Sequence, residues 1–255
     1  QNIISESLDM VNRISFVHLI SMEKELKNAF INNDHDLIDL LIGQKIFDEK
    51  SGFTFIIDAS KHIAGIYKYE GTSEKVIIPR SILHNSQEFF VTSILPNAFK
   101  SDKNVKTICY EENSELMIIY EKAFDESIVE EIFIPPHFIE FKNYWSFNAV
   151  NLKKVTVSQL NKNFTYNNDQ LLLTKSDLLS DNYDVILFSP RDIEKVAIPQ
   201  NITIIASCAF FNRKQLKKIK FAPNSQLKTI KFNAFGESSI EEIVLPPNLK
   251  KNSLI

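Results

Sequence analysis

The sequence predicts a solenoid dominated by short β-strands and opened by an α-helical hairpin. Three observations predict it. Residues 90–136 and 202–247 are two copies of one pattern, with Phe99 and Phe210, Phe124 and Phe235, and Pro135 and Pro246 each 111 residues apart (210−99, 235−124, 246−135). Inside each copy an Ala-Phe pair recurs after 25 residues (124−99, 235−210), and Ser146-Phe147 follows Phe124 by 23 (147−124). A period in the twenties with apolar residues at fixed phases describes coils that stack around a shared core. The third observation is that residues 5–48 carry a different, helical spacing.

In the first helix, Leu8, Val11, Ile14, Val17 or His18, Met22, Leu26, Ala29 and Phe30 recur at threes and fours, with Ser5 as N-cap and the polar run 32–34 as stop. Asp34 then caps a second helix carrying Leu37, Ile38, Leu40, Leu41 and Ile42, with Gly43 at the C′ position. The hairpin, residues 1–50, is expected to cover the apolar end of the solenoid. The alternative is a separate protein-binding module of the ankyrin kind.

Residues 51–255 form the solenoid. The stretch 53–69 alternates as two strands joined by a turn at 60–62. Phe53-Thr54-Phe55 matches Phe164-Thr165-Tyr166 at the same offset (164−53 = 111), while Pro79 pairs with Pro199 at 120 (199−79). A duplicated unit of about 111 residues, starting near 53 and again near 164 with the second copy incomplete, accounts for both offsets. The extra length falls in two polar stretches, 81–89 in the first copy and 167–184 in the second, where a solenoid tolerates it. Each coil reads as a strand ending in proline, a second short extended piece, and the Ala-Phe turn. Proline ends the strand because it has no donor for the next ladder bond. Phe99, Phe124, Phe210 and Phe235 are expected to fill the space between coils. The second copy lacks a counterpart of 145–164, so its last coil is expected to need a neighbour, from further chain or from another molecule.

At these residues the chain resembles the BspA-like leucine-rich-repeat family, trichomonad members especially. The resemblance rests on Asn97-Ala98-Phe99 with Val105 and Ile108, Ala209-Phe210 with Leu216, Ile219 and Phe221, and Ala234-Phe235 with Ile240, Ile243, Leu245 and Pro246. It implies an α/β leucine-rich-repeat solenoid. Because the motif residues are core residues, it implies little about function beyond surface or adhesion roles in some members.

Composition excludes several classes. A net charge of −3 gives no general drive toward nucleic acid or anionic membranes, and the basic residues from Arg213 to Lys220 with Lys228 and Lys231 face an acid-leaning counterpart in the first copy. They read as solvated surface. No apolar run approaches the roughly 20 residues of a membrane span, and no signal peptide is visible. Cys109 and Cys208 lie about four coils apart, too far for a disulfide, and two free thiols tilt the compartment slightly toward cytoplasm over cell surface. The five histidines are scattered, with no metal-ligand spacing. No Gly-rich phosphate loop or nucleophile motif occurs, and the paired carboxylates Glu111/Glu112 and Glu130/Glu131 point to opposite strand faces. No catalysis, cofactor, metal or small-molecule ligand is expected. With only five glycines, Asn, Asp and Ser must carry many of the tight turns.

The candidate site comes from register. The outward strand position before the last inward residue is Ile77, Cys109, Phe133, Thr156, Ala197, Lys220 and Val244, and the one two earlier is Lys75, Thr107, Glu131, Lys154, Lys195, Lys218 and Glu242. Stacking makes these an apolar column beside a charged one. Such columns serve as cross-strand ladders, or as a stripe that binds a protein partner. The expected function is a non-enzymatic protein-interaction or adhesion scaffold that binds through its sheet face. The alternative is a regulatory or targeting repeat region of a larger intracellular protein such as an enzyme.

Overall fold

The computed structural model describes residues 28–29, 32, 34–167, 171–247 and 249. The first predicted helix lies outside them apart from Asn28 and Ala29, which are helical. The second is α1, His35–Leu41, and the Asp34 side chain accepts from the Leu37 amide at 3.1 Å as its N-cap. Gly43 follows the C-cap Ile42, but not to supply a left-handed stop, since its φ is not positive. A Cβ there would sit 2.1 Å from the Ile57 carbonyl oxygen, so glycine is needed for close approach to the neighbouring strand.

Strands β1 (Gln44–Asp48), β2 (Phe53–Asp58) and β3 (Ile63–Tyr69) form an antiparallel meander. From there the coils alternate between two sheets. One continues the meander with β6 (Gln87–Ile94), β8 (Ile118–Ile119) and β10 (Glu140–Phe141), all parallel to β3. The other is built from β4 (Lys75–Ile78), β7 (Thr107–Tyr110), β9 (Glu131–Ile134) and β11 (Lys154–Val157), also parallel. The second copy repeats the arrangement. A meander of β12 (Phe164–Tyr166), β13 (Leu172–Thr174) and β14 (Val185–Phe188) leads to β16 (Ile204–Ile205) and β18 (Thr229–Ile230). A fourth sheet holds β15 (Lys195–Ile198), β17 (Lys218–Phe221) and β19 (Glu242–Ile243). The stretch 81–89 is not the expected loop. β5 (Ser81–His84) forms a hairpin with β6 through Asn85 and Ser86, both at positive φ (50° and 62°), as a type I′ turn requires.

The Ala-Phe turns explain how so few glycines suffice. Each turn is bracketed by two left-handed residues four apart: Asn97 and Ser101, Lys122 and Glu126, Tyr144 and Asn148, Cys208 and Asn212, Asn233 and Glu237. The expected Asn and Ser appear, but so do Lys, Glu, Tyr and Cys, which pay a steric penalty of roughly 1 kcal/mol or more each. Stacking holds them there, because the turns bond to one another: the Phe99 amide donates to Ala123 O at 2.8 Å and the Phe210 amide to Ala234 O at 2.7 Å.

Phe99, Phe124 and Phe210 are buried; Phe235, in the last described turn, is only half-buried. The third turn departs from the expected register by one residue. The Trp145 amide bonds Lys142 O as the Ala98, Ala209 and Ala234 amides bond Leu95, Ala206 and Lys231. Trp145 therefore stands in the alanine position and Ser146 in the phenylalanine position. The sizes are exchanged: the indole fills the core against Phe141 (4.3 Å between ring centroids) and Phe188 (5.5 Å). Phe147 falls outside the core layer and stacks on Phe211 at 4.9 Å.

Among the described residues the meander packs on the first Ala-Phe turn. Phe53 and Tyr69 lie against Phe99 with ring centroids 6.1 and 5.8 Å apart. Helix α1 instead lies on the outward face of the first sheet, where Leu37, Ile38, Leu40 and Leu41 bury Ile56, Leu95 and Tyr120. Lys142 Nζ reaches Asp34 Oδ2 at 3.4 Å and ties the helix start to β10. The second copy has no such landing. At the positions of Leu95, Ile118 and Tyr120 it carries Ala206, Thr229 and Lys231 (206−95, 229−118, 231−120, each 111).

The hairpin β13–β14 is closed by Asp184, which accepts from the Ser176 amide (2.8 Å), the Ser176 hydroxyl (2.7 Å) and the Thr203 hydroxyl. Burial alone would raise this carboxyl, but the bonds from Thr203 and Ser176 outweigh it and hold it below the ordinary aspartate value. A depressed folded pKa means stability that is present above the unfolded value, about 4, and lost as pH falls through the lower folded one. Asp184→Asn is therefore expected to cost about 1.5–3 kcal/mol at pH 7, the usual worth of hydrogen bonds to a charged group. The difference from wild type should shrink toward pH 2.5, as read by urea unfolding at both pH values. An equal deficit at both would mean the charge is immaterial.

Candidate functional site

The candidate surface is the outward face of the sheet β4-β7-β9-β11. Alternation settles which side chains point where: Val76, Ile78, Ile108, Ile132, Ile134 and Val155 are buried in the main core. Their neighbours Ile77, Cys109, Phe133 and Thr156 face out, Ile77 directly paired with Cys109 and Phe133 with Thr156. Ile77 is 54% exposed; Cys109, Phe133 and Thr156 are half-buried. Beside them runs the second column, with Lys75 paired to Thr107, Thr107 to Glu131 and Glu131 to Lys154.

Glu131 organises the end of this face. Its carboxylate accepts from Thr156 Oγ1 at 3.0 Å and pairs with Lys154 Nζ at 2.6 Å. Thr156 is thus held by an intramolecular bond, which leaves Ile77, Cys109 and Phe133 as the apolar part. Burial pushes the Cys109 thiol up, Lys75 opposes this, and Glu131 adds to it. The thiol is therefore protonated at neutral pH and behaves as a small apolar group.

The columns do not run the full length predicted. They break after β11, because the sheet ends there and the β12–β13 hairpin intervenes before β15 starts the fourth sheet. In that sheet Ala197 pairs with Lys220, and Val244, 73% exposed, lies just beyond β19. The charged column there is Lys195, Lys218 and Glu242 in register. This sheet therefore carries a basic face. It borders an open depression of about 610 Å³ lined by Glu194, Lys195, Lys214, Gln215, Lys217 and Lys218. Its lysines are partly answered by the next coil: Lys214 pairs with Glu237 (3.4 Å), Lys217 with Glu241 (2.7 Å) and Lys218 with Glu242 (3.5 Å).

Sequence reading missed two buried arginines. Arg213, at the head of what reads as a basic surface run, is 0% exposed, and Arg191 is also buried. Arg191 joins the two copies: Nε donates to Ala149 O (2.9 Å), one terminal nitrogen to Ser146 O (2.5 Å) and the other to Phe211 O. Arg213 donates to Ser189 Oγ (2.9 Å), Phe211 O (2.5 Å), Ala209 O (3.0 Å) and Ser189 O, with its guanidinium 4.9 Å from the Phe188 ring centroid. Desolvation pushes Arg191 down to about 10 and Arg213 well below the ordinary arginine value. The pair is a structural junction rather than an exposed site. Its sequence signal was the offset of 111, which sets Arg213 opposite Asp102 (213−102) where a shared surface would keep a similar residue.

Among the described residues no three of His, Cys, Asp and Glu come together as a metal would need, and no helix is long and apolar enough to cross a membrane.

Parallel coils of strand, short strand and left-handed-bracketed turn, packed on a shared core of rings, define a leucine-rich-repeat solenoid. The chain belongs to the BspA-type leucine-rich-repeat family: residues 67–175 and 185–253 match the BspA type leucine rich repeat region in six copies. A leucine-rich repeat protein from Eubacterium ventriosum has a similar structure (17% identity, TM-score 0.50, 81% of this chain and 68% of that one). The pneumococcal vaccine antigen PcpA is more distant in shape (20% identity, TM-score 0.41, 82% of this chain and 71% of that one). Among curated proteins none matches the sequence.

Proposed function

We propose that this is a non-enzymatic scaffold, for adhesion or another protein interaction, whose outward β4-β7-β9-β11 face holds a protein partner. Ile77, Cys109 and Phe133 form the apolar centre, with Thr156, Lys75 and Lys154 at its border; Lys220 and Val244 extend the surface on the fourth sheet. One observation carries the reading. On the first sheet the outward apolar residues Leu95 and Tyr120 are covered by α1, whereas on this sheet, among the described residues, Ile77 is left exposed and Cys109 and Phe133 half-exposed. An accessible apolar column framed by charge has the make-up of a docking centre with a polar rim.

The test compares wild type with Ile77→Asp/Phe133→Asp in capture from the native cell through a photo-crosslinker placed at Thr107. The expected result is a defined crosslinked protein that the double variant loses. Binding of that protein, once purified, should weaken by about 2 kcal/mol or more, roughly thirtyfold, with the thermal midpoint unchanged. A crosslink that survives the double variant would sink this face as the site.

A further inference from the structure

The loop between β13 and β14 carries two adjacent leucines, Leu178 and Leu179, 63% and 95% exposed. We propose that this tip docks into the lysine-walled depression on the fourth sheet of another molecule of the same chain, a head-to-tail contact that strings molecules together.

The tip is held in shape before any docking. Asp177 Oδ1 accepts from the Leu179 amide at 2.9 Å and Asp177 O from the Ser180 amide at 3.0 Å, which fixes the turn that carries both leucines. The base of the loop is tied by the bonds of Asp184 with Ser176 and Thr203. Asn201 Nδ2 adds bonds to Asn182 Oδ1 (3.1 Å) and Tyr183 O (2.9 Å), and the Tyr183 hydroxyl donates to Lys162 O (3.2 Å). A loop already ordered loses little entropy on docking. The hairpin in the same place of the first copy, β2–β3, turns through residues 59–62, Ala-Ser-Lys-His, with no leucine. Asp177 and Asp181 flank the leucines; both are exposed, and among the described residues neither has an ion pair. The tip is thus an apolar pair between two unanswered carboxylates.

The depression of about 610 Å³ has the complementary chemistry. Its lining holds four lysines and one glutamate, and its apolar wall is the methylene stems of these long side chains. Its volume falls within the range of pockets that take whole ligands, about 300–1,000 Å³. Among the described residues Lys195 has no ion pair. Lys214, Lys217 and Lys218 meet glutamates of the next coil in exposed pairs, which are worth little and yield to an incoming carboxylate. Lysine stems against leucine, with ammonium groups on the flanking aspartates, match the tip in both respects. The two sites sit at opposite ends of β15: Asn201, which holds the loop, lies beyond its last residue Ile198, and Lys195 of the depression is its first. The exposure of Leu179 shows that the loop does not fill the depression of its own molecule. A contact between two different patches is heterologous, so it continues from molecule to molecule.

Sedimentation velocity on the full chain across concentration tests this, with a tip variant, Leu178→Ser/Leu179→Ser, and a depression variant, Lys195→Glu/Lys214→Glu. A two-leucine contact gives a dissociation constant on the order of 0.1 mM, with association growing beyond the dimer. Each variant alone should associate at least about tenfold more weakly. Mixed one to one, the two variants should form a dimer and nothing larger, because one intact tip and one intact depression remain. All four exchanged side chains are exposed, so an unchanged thermal midpoint is expected and shows that both variants fold. Neither variant touches the β4-β7-β9-β11 face, so the outcome is independent of the reading of that face. Wild type that stays monomeric to about 1 mM overturns the proposal. Association that survives the tip variant, or a mixture that stays monomeric, overturns it too, because the contact then lies elsewhere.

Discussion

Phe124→Ala is expected to destabilise the chain by about 3–5 kcal/mol, and Phe235→Ala by roughly half of that or less. Both rings hold the same place in the repeat and differ only in what lies beyond them. Phe124 is 0% exposed and sits between Phe99, with centroids 5.6 Å apart, and Trp145 at 6.3 Å edge-on. Phe235 is half-buried and meets Phe210 on one side at 5.3 Å. Truncating Phe124 leaves a cavity that two rigid neighbours prevent from collapsing, so the transfer and cavity penalties add. Truncating Phe235 exposes a surface that water already reaches. Urea unfolding followed by circular dichroism reads both values. Equal losses would show that Phe235 is as tightly packed as Phe124.

The fold was legible because solenoid geometry writes itself into the sequence at fixed phases. Inward strand positions and turn phenylalanines recur, at an offset of 111 outside the two insertions and of 120 between them, so the register can be followed across the added length. What escaped detection breaks the phase or depends on a third partner. Trp145 and Ser146 exchange sizes between two neighbouring positions, so alignment on phenylalanine places the box one residue late. The landing face of α1 lies on outward positions, where Leu95 and Tyr120 look like chance surface apolars until the helix is seen over them. The contrast with Ala206 and Lys231 at the same offset was available and would have pointed to it. For the candidate site, alternation correctly gives which residues face outward, since β4, β7, β9 and β11 pair in the expected register. It does not give the interruption after Thr156, because the sequence of the β12–β13 hairpin says nothing about which sheet it will separate.

Arg213→Ala is expected to cost about 3–5 kcal/mol, and Arg213→Met appreciably less. The reason lies in how the second copy departs from the first. The Tyr69 amide bonds Ala98 O at 3.0 Å, and the Ser189 amide bonds the counterpart Ala209 O at 3.1 Å. A tyrosine that stacks on Phe99 in the first copy is thus replaced by a serine in the second, and the freed space is filled by the Arg213 side chain over Phe188. Among the described residues no carboxylate bonds either guanidinium; carbonyls and one hydroxyl accept from them, and Phe211 O serves both. Alanine at 213 leaves a cavity and strips the donor from Ser189 O and Ser189 Oγ in a dry site. Methionine keeps the volume and the contact with Phe188, and it removes a desolvated charge that Arg191 repels. Two opposing terms therefore meet in the methionine variant, and it should fall at least about 1 kcal/mol above alanine in stability. Salt separates this junction from the surface ladder. The pairs of Lys217 with Glu241 and Lys218 with Glu242 are exposed and weaken with ionic strength, whereas the loss from Arg213→Ala should be the same at 0.05 and 1 M salt. A loss below about 1 kcal/mol, or one that salt largely erases, would mean the guanidinium lies in water and the two copies are joined by their rings alone.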